Sequence, residues 1–160
     1  LTLIETLASV RPGTALADAM EKRAEIFRLS EAAHDAVVLP RDPGGLSLGL
    51  RAALAARMAR QNRNAALADH YDILVARADE LATAPLADPE ATVTEPRVAE
   101  IVRHADRLTV APRDATQAHI EALRQVGVTD ADIVRLAELA AFVNYQVRVL
   151  AGLKLMGEMR

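Results

Sequence analysis

Proton transfer and ion binding need titratable or charged side chains brought together, and this sequence concentrates such residues in two places. The first is RMARQNRNAALADHY, from Arg57 to Tyr71, where Arg57, Asn62, Arg63, Asn64, Asp69, His70 and Tyr71 interrupt a run of Ala, Leu and Met. His70 beside Tyr71 is the candidate catalytic pair, because imidazole titrates near neutral pH and is the usual general acid or base. Arg57 and Arg63 are candidates for holding a substrate carboxylate, and Asn62 and Asn64 for pointing amides into a pocket. The second place is the cluster Asn144, Tyr145 and Arg148, with Gln146 between, embedded in an otherwise apolar stretch. A charged group there needs a partner or an aqueous pocket, so these residues are further substrate-binding candidates. Each group also has a plainer role open to it. His70 can be a capping or surface residue next to Asp69, the asparagines can cap helices at a joint, and the arginines can be solvated. Arg148 can belong to a structural network or an inter-subunit ion pair.

What is missing narrows the chemistry. The chain has no Cys, which removes thiol nucleophiles and disulfides. His34, His104 and His119 are scattered with no i, i+4 pair, so no metal site is expected. No cofactor is expected, since Gly44-Gly45 follows Pro43 and lacks the strand and the lysine of a phosphate loop. A formal net charge of -3 with both signs interspersed, two Tyr, two Phe and no Trp speak against a nucleic-acid partner. Apolar runs such as Leu136 to Val143 fall short of the roughly 18 to 20 residues that span a bilayer. The opening LTLIETLASVRPG carries Glu5 and no basic segment before an apolar one, unlike a signal peptide. A cytoplasmic protein without a membrane partner is expected.

The elements that must position these residues read as helices. At 160 residues the chain is one domain, and 51% hydrophobic with 2% aromatic content favours helices packed through small residues. Leu16, Met20, Ala24, Phe27 and Val37 predict one amphipathic helix over about 15–38. Pro40, Pro43, Gly44 and Gly45 end it, and Ser47 caps the next, which runs to Gln61. Asn64 caps a helix to about Leu81, so that 57–71 is a helix, a tight polar joint and a second helix. After a proline-containing loop, Pro96 starts a helix to about 110. Asp114 and Gln117 have capping-box spacing for a helix that stops at Gly127, and Thr129 and Asp132 start a long one to about Met156. No stretch alternates with period two. The expectation is an all-α single domain over 1–160 with about five or six helices.

The segment GLSLGLRAALAARMARQNRNAALADHY (Gly45 to Tyr71), followed by LRQVGVTDADIVRLAELAAFVNYQVRVLAG (Leu123 to Gly152), resembles the alkylhydroperoxidase D-like and carboxymuconolactone decarboxylase-like proteins. The opening LIETLASVRPGTAL is similar to a subgroup called CMD-domain proteins. Peroxidases of that family carry Glu, eleven residues, Cys-x-x-Cys, three residues and His; the thiolate attacks peroxide, the second Cys resolves it, and Glu and His move protons. Aligned without gaps, Ala52, Asn64, Leu67 and Tyr71 stand at those four positions. Shifted by one so that His70 is the catalytic His, they are Arg51, Arg63, Ala66 and His70. Either register lacks the acid and both thiols, so the resemblance implies the fold without cysteine-based peroxide reduction.

The resemblance also implies a homo-oligomer, a trimer or a hexamer, and an association with a Cys-bearing relative. Two functions follow from it. One is a non-redox binding or partner protein. The other is an enzyme of the decarboxylase or lactone-processing kind acting on a small carboxylate, with His70 or Tyr71 moving a proton and Arg148, with Arg57 or Arg63, binding the carboxylate. That enzyme requires His70 and Arg148 to share one enclosed pocket of ligand size. It fails if they lie apart or if Leu67 and Met58 fill the space.

Overall fold

The computed structural model describes residues 1–158. In chain order the α-helices are α1 (Leu3–Leu7), α2 (Ala15–Glu21), α3 (Ala24–Val38), α4 (Leu48–Gln61), α5 (Ala65–Ala78), α6 (Pro96–Val110), α7 (Gln117–Gln125) and α8 (Asp130–Glu158). Short 3-10 turns lie at Ala84–Ala87 and Pro112–Asp114, and no strand occurs among the described residues. The class is all-α, with eight α-helices among the described residues rather than five or six.

α4 is the centre of the fold. Every residue from Gly49 to Ala59 is buried, as expected of a helix surrounded by others. Its alanines at 52, 53, 55, 56 and 59 leave little side-chain bulk, and α5, α6, α8 and the first 3-10 turn all pack against it. α3, α6, α7 and the short α1 and α2 pack on α8. That last helix buries Leu136, Leu139, Ala140, Val143 and Leu150 and leaves Val134, Leu155 and Met156 exposed.

Four departures from the sequence expectation have physical causes. α1 is held by a capping box in which the Thr2 N–H donates to Glu5 Oε2 at 2.6 Å, a Thr-x-x-Glu signal that carries too few apolar residues to show periodicity. The helix expected over 15–38 is two, broken at Lys22 and Arg23, where Arg23 has φ -120 and ψ 19. The buried positions Leu16 and Met20 and the partly buried Phe27 keep helical spacing across the break, so hydrophobic period alone does not reveal it. α5 stops at Ala78 because Asp79 takes the left-handed conformation, φ 54 and ψ 36. The chain then brings Glu80 back to the start of α4, where it accepts from Ser47 Oγ at 2.5 Å and from the Gly49 N–H at 2.9 Å, a carboxylate on exposed helix-terminal N–H groups. α7 is capped by Thr116, whose N–H donates to His119 Nδ1 at 3.0 Å, and Asp114 closes the preceding 3-10 turn. The predicted start of α8 holds: the Asp132 N–H donates to Thr129 Oγ1 at 3.2 Å, and Thr129 Oγ1 donates to Asp132 Oδ2 at 3.0 Å. No described helix is long and apolar enough to cross a membrane.

Candidate functional site

The joint between α4 and α5 forms as its residue types dictate. Asn62 ends α4, Arg63 takes φ 56, and the Asn64 side chain accepts from the Leu67 N–H at 3.1 Å as the cap of α5. A positive φ at Arg63 lets the chain reverse in a few residues, and an N-cap oxygen satisfies one of the unpaired N–H groups of the first turn. The asparagines are thus occupied. Asn62 Nδ2 donates to the Met58 carbonyl at 2.9 Å and to Asn144 Oδ1 at 3.1 Å, while Asn144 Nδ2 donates to the Ala140 carbonyl at 2.8 Å. Asn62 and Asn144 do meet, as a clamp that ties the joint to α8.

His70 and Tyr71 project from the first two turns of α5 towards α3 and α8. Tyr71 is fully buried and its hydroxyl donates to Gln146 Oε1 on α8. Burial pushes its ionisation well above the ordinary phenol range, against a smaller opposing effect of that hydrogen bond. His70 is half-buried, and its Nε2 lies 3.1 Å from Nε2 of His34 on α3. His34 is buried, and its Nδ1 donates to Asp35 Oδ1 at 3.0 Å. The ring planes of His34 and Tyr71 are stacked at a centroid distance of 6.1 Å, and His70 meets Tyr71 edge-on at 5.1 Å. Burial, then the neighbouring His34 and Arg77, lower the His70 pKa to about 4, so its imidazole is neutral at neutral pH. His70 has His34 for its partner rather than Asp69, which is exposed.

The other candidates lie elsewhere. Arg57 is buried and spends all five N–H donors on the protein. Nε and one terminal nitrogen hold Asp106 of α6 at 2.6 and 2.8 Å, and the remaining N–H groups reach the carbonyls of Leu86, Asp88 and Pro89. It pins the 86–89 loop across α4 and leaves no donor for a ligand carboxylate. Arg63 and Arg148 are exposed, so the apolar sequence around Arg148 does not enclose it. Tyr145 is half-buried, and its hydroxyl is 2.7 Å from Ser30 Oγ. Of the scattered histidines, His104 is buried on α6 and His119 helps start α7. His34 alone joins the cluster.

A small cavity lies on the His34 side of this cluster. Its volume is about 10 Å³ and it is lined by Thr2, Ser30, Glu31, His34 and Gln146 among others, room for about one water molecule. Leu67 and Met58, both fully buried, fill the interior beside the joint. A larger open cavity, about 760 Å³, lies between the Ala8–Leu16 stretch and the end of α8, and no candidate site residue lines it.

Sequence reasoning noted Gln146 and His34 without giving them a site role and missed Ser30, which together complete the polar cluster, and it missed Asp106, which claims Arg57. None has a local signal: His34 and His70 are 36 residues apart, Ser30 and Tyr145 are 115 apart, and only the packing of α3 on α8 and α5 on α4 brings them together. A useful hint was available, since a His among apolar residues on an amphipathic helix needs a polar partner from another element.

Comparison with protein-family models gives no match, and comparison with curated protein sequences gives none. Solved structures do match. One is an uncharacterized peroxidase-related protein from Silicibacter sp. TM1040, with a TM-score of 0.70 at 21% identity, over 81% of this chain and 68% of that one. Another is described as an alkylhydroperoxidase AhpD core, an uncharacterized peroxidase-related protein from Ralstonia eutropha JMP134, with a TM-score of 0.70 at 25% identity, over 84% of this chain and 71% of that one. With eight α-helices among the described residues, a buried α4 and no Cys anywhere in the sequence, this chain has the alkylhydroperoxidase D-like fold of those peroxidase-related proteins without the Cys-x-x-Cys motif.

Proposed function

We propose that this protein is a non-redox member of the alkylhydroperoxidase D-like group, acting as a binding or partner protein rather than as a thiol peroxidase. The observation that carries this is the occupancy of the motif positions. In the ungapped register Ala52, Leu67 and Tyr71 are buried and Asn64 is the helix cap. None of these can form a thiolate or a disulfide, and no carboxylate stands at the acid position. Both registers put a buried residue at the acid position, Ala52 or Arg51, but the ungapped one begins its thiol pair at half-buried Asn64 and the shifted one at exposed Arg63. That supports the ungapped alignment.

The enzymatic alternative, decarboxylation or lactone processing with His70 as acid or base, needs convergence with a carboxylate-binding arginine. Arg148 is exposed, Arg57 is saturated, and the cavity beside His34 has room for about one water. These observations favour the binding role. Self-association, as a trimer or hexamer, and association with a Cys-bearing relative belong to the same proposal. Exposed Ile26 and Leu29 on α3, and Leu39 just after it, give it apolar surface to cover. Sedimentation equilibrium of the purified chain tests the first, with a mass of three or six times the 17.2 kDa chain as the expected result. A monomer at all concentrations contradicts it.

A further inference from the structure

α3 and α5 bring two imidazole nitrogens to the spacing of ligands on one ion. His34 Nε2 and His70 Nε2 are 3.1 Å apart. Two nitrogens each about 2.0–2.1 Å from a shared ion at that separation subtend roughly 98° at it, between the octahedral and tetrahedral angles. The rings are inclined at 56° rather than parallel. Asp35 accepts the Nδ1 proton of His34 at 3.0 Å, an arrangement in which a carboxylate fixes the tautomer and leaves the Nε2 lone pair free to bind. His70 becomes the second ligand by carrying its proton on Nδ1 instead of Nε2. Without an ion, the same two nitrogens share one hydrogen bond.

A third donor is within the local pattern. Glu31 precedes His34 by three residues, so the two share a face of α3, and Glu31 lines the same small cavity as His34. Among the described residues no three His, Cys, Asp or Glu are already arranged as a metal-binding group, so the site as it stands presents two nitrogens and leaves the other positions to water or to a Glu31 rotamer.

We propose that His34 Nε2 and His70 Nε2 together bind one divalent late first-row transition metal ion, of the Zn²⁺, Ni²⁺ or Cu²⁺ class that imidazole suits, with Asp35 orienting His34 from behind. This does not depend on the partner-protein role: a site of this kind can be structural or can anchor a donor from a partner. The preference over Mg²⁺ or Ca²⁺ follows from nitrogen rather than oxygen ligands.

The test is calorimetric titration of the full chain, stripped of metal, with Zn²⁺ near neutral pH, followed by Cu²⁺ loading and electron paramagnetic resonance. One ion per chain is expected, with a Cu²⁺ spectrum showing two coordinated nitrogens. His70→Gln is expected to weaken Zn²⁺ binding at least tenfold, and Asp35→Asn, which removes the orienting carboxylate, by roughly tenfold to a hundredfold. His119→Gln, on α7, leaves it unchanged. His34 is buried and its replacement can disturb folding, so the partly exposed His70 and exposed Asp35 carry the test, with helix content followed by circular dichroism. No binding at millimolar Zn²⁺, or parental affinity in a folded His70→Gln protein, overturns the proposal.

Discussion

A guanidinium whose N–H groups are all donated to the protein has none left for a ligand, and Arg57 is in that state. Its replacement is therefore a stability experiment. Arg57→Met leaves Asp106 without its ion pair and takes a donor from each of three loop carbonyls, of which only that of Asp88 keeps a backbone bond, from the Ala91 N–H, and is expected to cost about 3 kcal/mol or more in urea unfolding. A variant as stable as the parent contradicts the structural role. Tyr71 is the second case. Tyr71→Phe keeps the ring but leaves the buried Gln146 oxygen unpaired, at an expected cost of about 1–3 kcal/mol. His70 gives a pH dependence. Its folded pKa of about 4 lies below the ordinary 6.5, so between those values the unfolded chain binds more protons than the folded one. The stability that neutral His70 contributes is fully present above about 6.5 and is lost as pH falls towards 4. In metal-free buffer, His70→Gln is expected to flatten the decline between pH 6.5 and 5 by up to about 2 kcal/mol, reduced by the partial exposure of the ring. A parallel decline in both proteins contradicts the assignment. Residue roles were the least legible part of the sequence: Arg57, Asn62 and Asn144 stood out correctly as polar groups in apolar surroundings, yet their partners come from other elements, so ligand binding and internal pairing looked alike.

Helices were more legible than residue roles. α4, α6 and α8 announce themselves through a cap and a sustained apolar period: Ser47, Pro96, and Thr129 with Asp132. The joint at Asn62–Asn64 is legible because polar residues with local backbone-bonding side chains interrupt an apolar run, and Asn64→Ala should lower stability by about 1 kcal/mol through loss of the cap. An unchanged midpoint in denaturant contradicts capping at Asn64. The break between α2 and α3 was not legible, since buried spacing continues across Lys22 and Arg23. Nor was the sidedness of α8: an apolar sequence nearly all round still leaves one face exposed, with Arg148 on it. Apolar composition marks a helix as able to be surrounded; it does not say which side its neighbours take.

At the scale of the molecule, the alkylhydroperoxidase D-like fold is built here by a chain without cysteine, on a core of small and aliphatic side chains around α4. Leu67 and Tyr71 are fully buried and contribute apolar area to the contact of α5 with α4 and α8, which stabilises the packing. All-α class and helix order were legible from caps and apolar period, and the absence of thiol chemistry from composition. The pairing of α3 with α5 through His34 and His70 was not, because tertiary packing alone sets it. The most direct measurement is turnover of hydrogen peroxide and an alkyl hydroperoxide by the purified chain with a dithiol reductant. The fold without its thiols predicts no consumption above the protein-free rate at any enzyme concentration. Consumption that rises in proportion to protein, and persists after metal removal, contradicts it.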